Sequence, residues 1–130
     1  MSRMTPRRWW ILAALYMAGL FALSCVPEDR THPGIGAYFP PPDVQNALHI
    51  PAYAGLSFLL WKALRGRRHA ALLAASLATI YGALDEVHQM FTYGRTSSVT
   101  DALANALGAF AVALCVWIFA RAPGAPNPPR

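Results

Sequence analysis

Asp85-Glu86-Val87-His88-Gln89, continuing through Arg95, Ser98 and Asp101 to Asn105 and Gly108, is a polar run set between two strongly apolar segments. Asp85, Glu86, Arg95 and Asp101 fall within seventeen positions. If the flanking segments cross a bilayer, these charges sit at or inside one of its faces. Ionisable side chains are expensive there and default to a functional role. The first question is therefore whether the solvent of this chain is lipid.

Composition answers it. The chain has 130 residues, enough for one domain, with 55% hydrophobic and 13% charged residues, and its mean hydropathy is positive. A soluble domain usually carries about 25% charged residues. A deficit of this size is explained if much of the surface faces lipid, so the expectation is an integral membrane protein. The formal net charge of +5 does not point to nucleic acid, because the charges alternate in blocks between apolar segments. Cys25 and Cys115 both lie in apolar runs, the setting of an unreactive thiol, and imply no disulfide framework.

Four helices are expected. Residues 1 to 8 form a basic N-terminus with Arg3, Arg7 and Arg8, and Trp9 to Val26 is an uncharged run of eighteen residues. This exceeds the ~7–15 residues of a signal-peptide core, so the first helix is expected to stay attached although Ala22-Leu23-Ser24-Cys25 loosely resembles a lipoprotein cleavage box. Residues 27 to 42, rich in proline and glycine, read as an external loop. A second helix is expected from a cap at Asp43 to about Leu64, kinked near His49 by Pro51. The third runs from Ala70 and must extend beyond Leu84 into Asp85–Met90 to span. Ser98-Val99-Thr100-Asp101 has the spacing of a helix-start box, opening a fourth helix from about Val99 to Phe119. Residues 120 to 130 read as a disordered proline-rich tail.

The charges set an orientation. The N-terminus, the loop after the second helix and the tail hold nine basic residues, against Arg30 and Arg95 on the other side. The positive-inside bias then places both ends in the cytoplasm. All six acids, Glu28, Asp29, Asp43, Asp85, Glu86 and Asp101, fall on the outward side. With about 1.5 Å of rise per residue from each inner basic anchor, Lys62 to His49 is ~20 Å, Arg68 to Glu86 ~27 Å and Arg121 to Asn105 ~24 Å. His49, Glu86 and Asn105 are thus expected as neighbours in one layer of the outer leaflet. Spacing groups further residues on shared faces: His49 with Tyr53, Asp85 with His88 and Gln89, and Asp101 with Asn105 and Gly108. Ala102, Ala106, Ala109 and Ala113 offer a small-residue face for close helix approach. Trp9, Trp10 and Trp61, beside basic clusters, read as interfacial anchors.

At these residues the sequence resembles the VanZ-like family of small bacterial membrane proteins. His49-Ile50-Pro51-Ala52-Tyr53 is similar to its His-Phe-x-x-Tyr, and Glu86-Val87-His88-Gln89 to its Glu-x-x-Gln. Gly94-Arg95 follows, then Asp101 to Gly108, similar to Asp-x-x-x-Asn-x-x-Gly. The resemblance covers residues 9 to 119 and implies a four-helix transmembrane domain. The family usually has Asp-Lys beginning four residues before the histidine, where this chain has Gln45-Asn46; Asp43 does not take that register. The name-giving member is associated with reduced susceptibility to the glycopeptide teicoplanin, so envelope physiology is the implied setting.

Three functions fit these residues. The foremost is binding of a lipid-linked or amphiphilic ligand at the outer leaflet. Arg95 would meet an anionic head group, and His49, Tyr53, Asp85, Gln89 and Asn105 would join Glu86 in supplying contacts. The second is a membrane-embedded hydrolase or transferase on such a lipid. Its catalytic candidates are Glu86 or His88 as general base, Arg95 stabilising negative charge, and Asp101. The third is a structural lock, with Glu86 paired to Arg95 and Asn105 bonded to Gln89. His49, Asp85, Glu86 and His88 could supply metal ligands, but no His-Glu-x-x-His motif is present, and no metal or other cofactor is expected.

Overall fold

The sequence breaks into helices where its prolines and glycines dictate. The computed structural model describes residues 5–27, 42–95 and 97–121, and these form four α-helices and no strand. Helix α1 spans Pro6–Ser24, α2 Pro42–Ala63, α3 Ala70–Gln89 and α4 Val99–Arg121. Proline at the first position of α1 costs no hydrogen bond, since that N–H has no helical partner. Helix α2 starts at Pro42, so Asp43 lies in its first turn and not at a cap. It continues through Pro51, which lacks the N–H that the Ala47 carbonyl would otherwise receive. Helix α3 does extend through the Asp85–Gln89 run. The expected loop at 27–42 and tail at 120–130 fall, for residues 28–41 and 122–130, outside the described residues.

Short turns force neighbouring helices to run antiparallel. The α2–α3 turn uses left-handed backbone at Gly66 and at His69, where a side chain makes that conformation unusual. The α3–α4 turn passes through Gly94, also left-handed. Helices α2, α3 and α4 pack on one another, while α1 lies against α2 and only lightly against α3.

The packing seam is made of small residues on two helices. Ala109 of α4 is fully buried, and Ala102, Ala106 and Ala113 are half-buried, as the small-residue face predicts. Ala74, Ala75, Ala78 and Gly82 of α3 form a second, wholly buried small stripe, which at Gly82 meets Tyr53 of α2 and Asn105 of α4. Tyrosines tie α1 to this core. Tyr16 Oη donates to the Ala52 carbonyl at 3.0 Å, and Tyr81 Oη to the Met17 carbonyl at 2.7 Å.

The distribution of polarity is inverted relative to a water-soluble bundle. Leu15, Leu84, Leu107 and Phe119 are each more than 60% exposed, whereas Asp85, Glu86, Gln89, Asp101 and Asn105 are each at most 8% exposed. Helices α3 and α4 are long and apolar enough to cross a membrane. Helices α1 and α2 carry Arg7 and Arg8, and Gln45, Asn46 and Lys62, within their own bounds.

Candidate functional site

Successive residues of a helix point about 100° apart, so Asp85 and Glu86, though adjacent, serve different helix interfaces. Asp85 faces α1 and α2. Its Oδ2 accepts from Ser24 Oγ at 2.6 Å, Gln89 Nε2 at 3.1 Å and Tyr53 Oη at 3.4 Å. Gln89 reaches it because it sits one turn further along the same face. The other oxygen, Oδ1, is buried with no hydrogen-bond partner.

Glu86 faces α2 and the start of α4. Its Oε2 accepts the Ser98 N–H at 3.4 Å, and its Oε1 lies 3.8 Å from His49 Nδ1. His49 Nδ1 is 2.8 Å from Asn105 Oδ1. An amide oxygen only accepts, so with the Asn105 amide in this orientation Nδ1 is the donor of the pair. The layer expected from helical rise is therefore present: His49, Glu86 and Asn105 meet across three helices.

The helix-start box is used differently from its usual form. Ser98 Oγ accepts the Thr100 N–H at 3.1 Å, but the reciprocal bond to the Ser98 N–H comes from Glu86 of α3 and not from Asp101. Asp101 is left buried with Oδ1 unpartnered, one turn before Asn105 and within electrostatic reach of His49 and Arg95.

Arg95 is spent partly on structure. Its guanidinium donates to the carbonyls of Leu23 at 3.0 Å and Val26 at 3.4 Å, at the end of α1. Carbonyls there lack helical donors and the helix dipole is negative, so a cation is favoured. The pairings imagined for a simple lock, Glu86 with Arg95 and Asn105 with Gln89, are not those formed: Gln89 joins Asp85 and Asn105 joins His49.

A cavity of about 220 Å³ opens between α1, α2 and α3 at this end of the bundle. Leu20, Leu23, Leu48 and Ala52 make apolar walls; Ser24, Gln45, His49, Tyr53, Asp85, Gln89 and Arg95 supply the polar part of its lining. Glu86, Asp101 and Asn105 lie behind His49, outside that lining. His88 is elsewhere: its ring lies tilted against Phe21 at 4.7 Å between centroids, and Nε2 is 3.4 Å from Cys25 Sγ. The two acid–base candidates thus face different partners. Among the described residues no group of three or more His, Cys, Asp and Glu side chains is placed to hold a metal.

Ser24 and Gln45 are polar cavity residues outside the sequence-predicted set, Gln45 standing where the Asp-Lys pair would begin; Ser24 is the harder to foresee. Its depth was available: from Arg8 to Ser24 is ~24 Å of helix, the same layer as Glu86 and Asn105. A lone serine in an apolar run gives no stronger signal.

A family model described as VanZ/LLP1 matches residues 9–120. The chain belongs to the VanZ/LLP1 family. No curated protein and no solved structure matches it. The matched span contains both polar nests of this VanZ/LLP1 chain and nearly all of its four helices.

Gly82 is the floor on which the two nests meet. A Cβ there would lie 2.9 Å from Tyr53 Cε1 and 3.0 Å from Asn105 Cβ and Nδ2. Alanine normally favours a helix over glycine by about 0.5–1 kcal/mol, but overpacking costs about 1–3 kcal/mol. Gly82→Ala is expected to fold, to melt lower by about 1 kcal/mol equivalent, and to shift the His49 imidazole resonance as Asn105 is displaced. Thermal unfolding in detergent together with histidine NMR measures both.

Proposed function

We propose that this chain is a four-span protein of the bacterial cytoplasmic membrane, with both termini in the cytoplasm. In this reading it holds the head group of a lipid-linked or amphiphilic envelope ligand in the outer leaflet and thereby bears on glycopeptide susceptibility. Helices of 19, 22, 20 and 23 residues correspond to roughly 28–35 Å, matching a hydrocarbon core of ~30 Å. The inverted polarity of the bundle and the nine-to-two split of basic residues support the same placement.

One observation carries the ligand reading: a cavity with aliphatic walls and a polar interior at the helix ends opposite the basic turns. Arg95 suits an anionic linkage, and the Ser24, Asp85 and Gln89 side chains of the same lining suit a hydroxyl beside it. A polyprenyl phosphate bearing a sugar offers both groups at the end of a hydrocarbon chain.

The test uses the full chain in nanodiscs and a short-chain polyprenyl phosphate sugar as probe. Saturable binding is expected, weakened about tenfold, or ~1.4 kcal/mol, by Ala52→Phe, which fills the apolar wall. Equal uptake by wild type and Ala52→Phe would mean that the compound only partitions into lipid, and the reading fails. A teicoplanin susceptibility change on expression, lost in the same variant, is the cellular counterpart. Reporter fusions at Arg67 are expected to read cytoplasmic.

A further inference from the structure

The basic end of the bundle holds a second concavity, remote from the polar nests. A groove of about 760 Å³ runs between α3 and α4, with Trp61 of α2 against it. Its walls are aliphatic and alanine-rich, Leu107, Ala113 and Leu114 among them, and His69 and Trp117 also line it. Both tryptophans carry a cation on the ring. The Arg65 guanidinium lies 5.6 Å from the Trp61 centroid, and that of Arg121 lies 4.0 Å from the Trp117 centroid. A guanidinium stacked by its face keeps its N–H edge for an anion. Arg67 and Arg68 are exposed in the same turn as Arg65, while Asp85, Glu86 and Asp101 pack at the far end of the helices.

We propose that this groove binds an anionic phospholipid of the leaflet on the basic side. An acyl chain lies along the Leu107 and Leu114 wall, and the phosphate sits among Arg65, His69 and Arg121. Charge decides the occupant. A second copy docked on the same groove would bring two arginine-rich ends together, a like-charge encounter. A phosphate neutralises them, as expected where a basic pocket sits between membrane helices. This site shares with the proposed function only the placement of the bundle in a membrane, and it is independent of what the polar cavity holds.

The full chain carrying Trp9→Phe and Trp10→Phe retains tryptophan only at Trp61 and Trp117, both in the groove. Reconstituted in phosphatidylcholine vesicles, it is titrated with brominated phosphatidylglycerol or brominated phosphatidylcholine, and tryptophan quenching is read. Half-quenching is expected at about a threefold lower mole fraction of the anionic lipid. That preference is expected to vanish in Arg65→Gln/Arg121→Gln, and in the unsubstituted arginine background at about 1 M salt, where screening shortens to ~3 Å. The salt arm stands even if the double variant fails to fold. Identical quenching by the two lipids overturns the proposal. So does cross-linking of Ala113→Cys to a second copy, with Cys25 and Cys115 replaced by serine, at a yield indifferent to phosphatidylglycerol.

Discussion

Gly108→Ala is expected to prevent accumulation of folded protein, whereas Gly19→Ala leaves yield and thermal midpoint unchanged or slightly raised. A Cβ at Gly108 would stand 2.1 Å from the Ile50 carbonyl oxygen and 2.9 Å from its carbon. Carbon–oxygen contacts settle near 3.3–3.6 Å, so α2 and α4 must part by roughly 1 Å. The obstacle is backbone, which has no rotamer to escape into. Two bonds bridge the same interface, His49 to Asn105 at 2.8 Å and Ser57 Oγ to the Ala109 carbonyl at 2.9 Å. Separation stretches both. Overpacking of this kind costs about 3 kcal/mol or more, a large share of a typical folding free energy. Gly19 has nothing within 4 Å of its would-be Cβ, so it controls for helix propensity alone. Monodisperse yield after detergent extraction and the melting midpoint check the pair. Normal yield of Gly108→Ala would show that α4 does not approach Ile50 this closely.

The same glycine shows what a sequence can and cannot disclose about such a bundle. Element boundaries were legible because prolines, glycines and charge blocks punctuate the apolar runs, and α3 had to extend to Gln89 to reach a useful length. Depth was legible because helical rise is fixed: counting from Lys62, Arg68 and Arg121 puts His49, Glu86 and Asn105 at one level. Rotational phase was not. Whether Glu86 turns toward Arg95 or toward Ser98 depends on how each helix is rotated about its axis, and that is set by how the buried Ala74, Ala75, Ala78 and Gly82 stripe packs against its neighbours. Nothing in the residues around Arg95 signals that its guanidinium closes the end of α1. Spacing alone also groups His88 with Asp85, yet the crossing of α1 puts Phe21 and Cys25 beside the imidazole and keeps it out of the cavity lining.

Asp85 is where stability and ligand preference should separate. Asp85→Ala removes the oxygen that accepts from Ser24, Gln89 and Tyr53 at once. Ser24 retains a fallback in the Leu20 carbonyl, 3.2 Å away, and Gln89 Nε2 one in Ser24 Oγ at 3.4 Å, but Tyr53 Oη keeps no such acceptor in the nest. An unsatisfied buried donor costs about 1–3 kcal/mol, against an average near 0.6 kcal/mol for hydrogen bonds between membrane helices, so a loss of about 2 kcal/mol and a lowered melting midpoint are expected. Asp85→Asn behaves differently. Its oxygen can take over the donors, and the amide nitrogen replaces the buried Oδ1, so a lining residue that only accepts becomes one that also donates. Its fold should survive at a cost of about 1 kcal/mol. Its preference for a sugar-bearing polyprenyl phosphate over the bare phosphate should disappear, while affinity for the bare phosphate holds or rises because a negative charge has gone. Melting curves and paired titrations of the two compounds measure this. If Asp85→Asn keeps the wild-type preference, the hydroxyl groups are not read by Asp85, and the head group lies elsewhere in the cavity.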